Sequence, residues 1–271
     1  MPYRDEGLAA LVRVEGHARG AAEQKPSSAH HALLSWIVPV LAAQRAAVVR
    51  GTPSTAESSP SPTTPVPATA GTTWSAFLTE LGSSATGHAK RAAATNGTDS
   101  LLWASLAGCA RTVSAYSGTA VRSAALAPAV PVVGTEVAAL TEVVAQLHVL
   151  VFGTELALVP VPSADPAHDR ITATWTSWLR RRDTLSETLR SLGGTVPGSR
   201  APYDVPTPSS VAAATALVAT LENRFLPTAG VWVAAAGSTH AVALSFLADT
   251  TAHAASFGGP LQAWPGWPTR A

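Results

Sequence analysis

The chain has 271 residues, 54 of them Ala, against 3 Tyr, 5 Phe and one Met. Ala is the strongest helix former and β-favouring aromatics are scarce, which argues against an all-β fold, while a hydrophobic share of 46% argues against global disorder. Charged residues make up 13%, about half the usual share, and 18 basic against 17 acidic side chains leave a net charge of +1, too little field to gather nucleic acid.

In chain order, the apolar spacing is helical. Leu8, Leu11, Val12 and Ala18 mark a first helix, and Leu34, Ile37, Val38, Leu41 and Val48 a second. Residues 51–72 follow, with 5 Pro, 4 Ser and 6 Thr and Glu57 as the single charge. Such a composition is expected to form an extended, mobile linker. Trp74, Phe77, Leu78 and Leu81 begin a third helix. Leu102, Leu106, Cys109 and Val113 form a fourth, with Asp99 as N-cap. A break with Pro128, Pro131 and Gly134 precedes a fifth helix carrying Leu140, Val143, Val144, Leu147 and Val151. The sixth opens on Asp165-Pro166, an N-cap followed by proline at the first helical position. A Gly/Pro-rich stretch, 193–208, separates it from a seventh, running from about Ser209 through Trp232 with a kink at Pro227. An eighth spans about 239–257. The tail from Gly258, with Trp264 and Trp267, is expected to be irregular and to fold its indoles back onto the helices.

These elements predict an all-α protein of two antiparallel bundles, with one longer merged bundle as the alternative. The first unit covers residues 1–127, including the linker, and the second covers 135–271. A lone Cys109 excludes an internal disulfide framework and thiolate-rich metal sites. Leu106-Ala107-Gly108-Cys109 has the form of a bacterial lipoprotein cleavage box, yet residues 5–95 read as folded sequence, so Cys109 is expected on a buried helix face. Pro39 interrupts the apolar run 33–43, and Gln146, His148 and Glu155 punctuate 143–158, so no membrane span is expected. No basic region followed by an apolar core opens the chain, which reads as cytoplasmic unless the gene starts upstream and encodes an export leader.

The sixth helix carries the sharpest detail. Positions 171, 175, 178, 182, 185, 189 and 192 form a core seam whose one charged member is Arg182. The seventh repeats the spacing from 211 to 232, with Glu222 at the equivalent point. Isolated buried charges cost several kcal/mol, so a buried Arg182–Glu222 ion pair is expected. Glu222, Asp249, His253 and His148 are the residues that can converge as metal ligands. Asp249 and His253 share a helix face four residues apart, and His148 lies beside the fifth helix's apolar stripe. No Glu is followed three residues later by His, the spacing that carboxylate-bridged di-metal bundles use. No metal and no cofactor is therefore expected.

Arg181-Arg182-Asp183-Thr184-Leu185, Gly194 with Pro197, Tyr203 with Pro206, Thr220-Leu221-Glu222 and Pro265-Gly266 occur in an order that resembles a known family. It is the actinobacterial ferritin-like domain of unknown function, domain-of-unknown-function family 4439, matched over about residues 135–268. The first half is similar to the helical region preceding that domain, through Ala29-His30-His31-Ala32-Leu33 and Ser105–Ala110. The resemblance implies a ferritin-like four-helix bundle in the second half. Leu147 stands where the family pattern has Glu and Trp178 where it has His, which implies a bundle without ferritin chemistry. The expected role is therefore non-catalytic: a structural or interaction protein, placed at the cell envelope by the resemblance and by the linker's exposed character. A protein partner is compatible with this, and the sequence leaves its oligomeric state open. Two other roles stand beside it. One is a degenerate di-metal oxidase or metal store, and the other a carrier holding an apolar ligand between helices against Trp175, Trp178 and Phe225.

Overall fold

A computed structural model describes residues 2–53, 64–116, 128–200 and 203–269. Eight helices account for most of them: α1 (Pro2–Glu23), α2 (Ser28–Arg50), α3 (Trp74–Ala94), α4 (Gly97–Ser114), α5 (Glu136–Leu158), α6 (Pro166–Ser191), α7 (Val211–Ala235) and α8 (His240–Ser256). The protein is all-helical, as the alanine content and apolar spacing predict. Among the described residues there is no sheet, and a single isolated bridge joins Pro128 to Thr269.

Local chemistry sets most helix starts. Ser27, Thr73, Thr135 and Ser210 each accept a backbone N–H three residues on, and Asp165 accepts that of Ala167 with Pro166 at the start of α6. The expected Asp99 cap is corrected: α4 begins earlier, after Asn96, and Asp99 sits in its first turn, 3.1 Å from Arg4 of α1. Pro39 does not interrupt α2. It lies on an exposed turn, where the carbonyl that loses its donor, that of Ser35, is itself on an exposed residue. By length and composition α2 and α5 are apolar enough to cross a membrane, and each turns a buried stripe inward.

Short connections make α1/α2, α3/α4, α5/α6 and α7/α8 antiparallel neighbours. α1 lies on α2 and α3, while α5 lies on α6 and α7. The halves share one continuous hydrophobic core, because α4 also packs on α7 and α8. The stripe of α1 is Leu11, Val14, Glu15 and Ala18, with Val12 turned outward; on α8, Val242 is exposed and Ala243 is buried instead.

The expected mobile linker needs correction over its second part. Residues 54–63 lie outside the described residues, but 64–72 run along α1, with Val66 and Thr72 buried and Thr69 N–H donating to the Gly16 carbonyl at 2.9 Å. Gly20 permits this approach, since a Cβ there would meet the Thr69 carbonyl oxygen at 2.0 Å.

The irregular tail is a strap whose indoles are buried. Gly266 passes over α7 so closely that a Cβ on Gly230 would meet its carbonyl oxygen at 1.7 Å. Pro265 faces Gly108 of α4, and Gln44 of α2 donates to the Ala263 carbonyl at 2.9 Å. The strap therefore ties both halves together.

Candidate functional site

The second half builds its interior from aromatics. Trp178 of α6, Phe225 of α7 and Phe246 of α8 are each at most 3% exposed, with ring centroids 5.3–6.4 Å apart, and Trp232 adds a fourth ring 5.6 Å from Phe246. Tilted and edge-on contacts of this kind pack the rings of Trp178, Phe225 and Phe246 against one another.

Glu222 stands at the edge of this aromatic cluster with 0% exposure. Its Oε1 accepts the Trp178 indole N–H at 3.2 Å and lies 3.7 Å from His253 Nδ1, an ion-pair distance longer than a hydrogen bond. Its Oε2 is buried and without a hydrogen-bond partner among the described residues. Burial pushes the Glu222 carboxyl above its ordinary value against the pull of His253, Trp178 and Arg181. The contact with Glu222 in turn raises His253, whose side chain is 38% exposed.

The expected Arg182–Glu222 ion pair is not formed. Arg182 pairs with its neighbour Asp183 at 2.7 Å, and its charge acts on His148 on the α5 side. The reason is helical drift: α6 turns once in 3.6 residues, so after Trp178 the buried line runs between positions 181 and 182. The two arginines straddle it. Arg181 takes the α8 side, lying over Trp178 and Phe246 at 5.4 and 5.1 Å from their centroids, and pairs with Asp249.

Of the four candidate metal ligands, Glu222 and His253 are brought together, and Asp249 lies beside them in the grip of Arg181. His148 is not part of the cluster. Its Nε2 faces the Pro197 carbonyl at 3.2 Å, and burial leads the effects that lower its pKa. Among the described residues no three His, Cys, Asp or Glu side chains converge. The donor set does not fit a di-metal centre: one carboxylate and one imidazole face each other, an indole N–H holds the same oxygen, and a guanidinium adds a competing charge.

Two polar clusters escaped the sequence reading. Glu15 is 0% exposed and takes Arg19 on Oε1 at 3.0 Å and Arg45 on Oε2 at 3.1 Å. Its place between Leu11, Val14 and Ala18 at helical spacing was the available signal. Glu136 accepts the backbone N–H groups of Gly237, Ser238 and Thr239 and the Thr239 hydroxyl, clasping the start of α5 to the start of α8. Burial alone would raise its pKa, but the Thr239 hydroxyl and these N–H groups together hold it down to about 2. Cys109 is buried, which pushes its thiol up to about 12 and leaves it unreactive.

Every residue of the Glu222 cluster lies between α5 and the strap. Residues 139–269 match the family model described as a domain of unknown function, DUF4439. This is the family that the sequence resembles over about 135–268. The DUF4439 match takes in α5 from Ala139 onward, α6 to α8 and the strap, so Trp178, Arg181, Glu222, Asp249 and His253 all fall inside it, while Glu15 and Arg45 fall outside. No curated protein and no solved structure matches the chain.

Proposed function

We propose that this protein is a non-catalytic helical scaffold or interaction protein whose second half is a ferritin-like four-helix bundle of actinobacterial type. The observation that carries this reading is the occupation of the bundle interior. Trp178, Phe225 and Phe246 fill the centre, and the one buried carboxylate there is held by an indole N–H and an imidazole. A packed core of this kind adds rigidity but leaves no room for substrate. The order of neighbours, α6 on α5, α5 on α7 and α7 on α8, supports the four-helix description. The Pro/Ser/Thr-rich composition of residues 51–72 and the family resemblance support a place at the cell envelope.

The second reading, a degenerate di-metal oxidase or metal store, draws on Glu222 and His253 alone. Metal content of the purified protein, after expression with iron, manganese and zinc supplied, separates the two. The scaffold reading expects only substoichiometric metal, unchanged in Glu222→Gln. A stoichiometric metal that Glu222→Gln removes would overturn it.

A further inference from the structure

The chain contains two asparagines, Asn96 and Asn223, and the fold holds them differently. Asn223 lies within α7, where its Nδ2 donates to the Ala219 carbonyl at 2.8 Å and its Oδ1 accepts from Gln262 Nε2 at 2.6 Å. Asn96 belongs to the two-residue connection between α3 and α4, is exposed, and makes no capping hydrogen bond with its side chain. Glycine follows it. Gly97 has φ +64°, a conformation that suits glycine, and a Cβ built there would meet nothing within 4 Å. Its N–H, the first of α4, has no partner within the helix.

These features favour one reaction. Asparagine is thermolabile because the peptide nitrogen of the next residue can attack its side-chain amide. That nitrogen bonds to Cγ, its proton passes to solvent base, and the bond from Cγ to the amide nitrogen breaks with loss of ammonia. Water then opens the five-membered imide. Opening at Cγ leaves aspartate, and opening at the main-chain carbonyl leaves isoaspartate, so one water is consumed and one ammonia released. At Asn96 the amide is unbonded, the attacking nitrogen has no helical hydrogen bond to give up, and glycine leaves the approach open. At Asn223 the same ring has to break both side-chain hydrogen bonds and distort a turn of α7, beside the bulk of Arg224.

We propose that Asn96-Gly97 is a site of spontaneous deamidation whose two products change the α3–α4 junction in opposite directions. The aspartate product puts a carboxylate at the start of α4, where the unpaired N–H groups stabilise it. The isoaspartate product adds a methylene to the main chain in a connection of only two residues. The contacts that follow are close in sequence: Asp99 holds Arg4 of α1 at 3.1 Å, and Ser100 holds the Ala92 carbonyl of α3 at 2.9 Å and His240 Nε2 of α8 at 2.8 Å. These contacts tie α4 to three other helices, and the added methylene shifts them out of register. The inference uses no residue of the Glu222 cluster and is independent of the scaffold reading.

The test incubates the full chain in mildly alkaline buffer made with ¹⁸O-water, digests it with trypsin in ordinary water and reads the peptide masses. Asn96 is the one amide side chain in peptide 92–111, and Asn223 the one in peptide 201–224. The expected result is a gain of three mass units in 92–111, as ¹⁸O-hydroxyl replaces the amide nitrogen. Peptide 201–224 should gain it at least about tenfold more slowly, a factor that its two hydrogen bonds supply. Asn96→Gln, which needs a six-membered ring, should abolish the gain. Ion exchange separates the products by their added charge; the isoaspartate fraction should melt below the parent chain and Asn96→Asp at or above it. No gain, equal rates at the two asparagines, a gain that survives in Asn96→Gln, or an isoaspartate fraction that melts with the parent would each overturn the proposal.

Discussion

Among the described residues each half of this protein buries one glutamate completely, and the two are treated in opposite ways. Glu15 in the first half has a guanidinium on each oxygen, Arg19 from the next turn of its own helix and Arg45 from α2, and Arg45 is anchored further by the Thr64 carbonyl at 3.1 Å. Glu222 in the second half has an indole N–H and a partly exposed imidazole on one oxygen and no hydrogen bond on the other. The difference separates a fastening from a poised group. Two guanidinium partners set a counter-charge on each oxygen of a buried carboxylate and tie three segments of chain together. Burial raises the proton affinity of Glu222, and one neutral donor and one titratable neighbour oppose that only in part.

Replacing the carboxylate tests that contrast most sharply at Glu15. Glu15→Gln leaves Arg45 buried without its counter-charge, and the expected loss is about 3–5 kcal/mol, the scale for one partner removed from a buried ion pair. Urea unfolding of the variant at pH 7 measures it; a loss under about 1 kcal/mol would place Glu15 with ordinary surface pairs. Next in size is Trp178→Phe, which keeps most of the ring packing but removes the donor to Glu222. The expected cost is about 1–3 kcal/mol, read from the same unfolding experiment, and it should shrink in a Glu222→Leu background where no buried acceptor remains.

The smallest effect at neutral pH, and the most diagnostic, belongs to Glu222→Gln. Burial raises Glu222 and the Glu222 contact raises His253, so over a window opening near the ordinary carboxylate value of 4.5 and reaching above the ordinary histidine value of 6.5 the folded protein binds more protons than the unfolded chain. Their joint contribution to stability is therefore fully present at low pH and declines as pH rises through that window. His88 acts with the opposite sign: burial and the Arg91 charge lower it to about 3, so its neutral folded form adds stability as pH climbs from 3 towards 6.5. Because His88 is common to both proteins, the informative curve is the difference between wild type and Glu222→Gln. The variant should gain stability relative to wild type as pH moves from 5 to 8, seen as converging or crossing urea midpoints. A difference that stays flat with pH would remove Glu222 from the titrating groups.

The sequence carried the helices because their signals are local. Asp165-Pro166 marks the start of α6 within two residues, and the seam positions from 171 to 189 announce its buried face before any partner is known. The burial of Glu222 was legible in the same way, as a charge on an apolar stripe. Its partner was not. A heptad-spaced seam pointed to Arg182, whereas the real helix, at 3.6 residues per turn, placed Arg181 towards α8 and Arg182 towards α5. Trp178, read from its apolar character alone, contributes its N–H to Glu222. Glu15 had the signal of its position between Leu11, Val14 and Ala18, but nothing nearby in sequence pointed to Arg45, 30 residues away.

What the sequence determined alone is therefore what depends on neighbours within a turn or two: an all-helical chain, the start of α6 at Asp165-Pro166, and most of the residues that turn inward. Only the tertiary structure decided which polar groups meet on those faces, that α4 joins the halves into one core, and that residues 64–72 lie along α1 instead of moving freely. The physical reason is the same in each case. Helix formation is governed by backbone hydrogen bonds four residues apart, whereas a buried ion pair or a close backbone crossing depends on the rotation and spacing of whole helices, which a shift of one residue reverses.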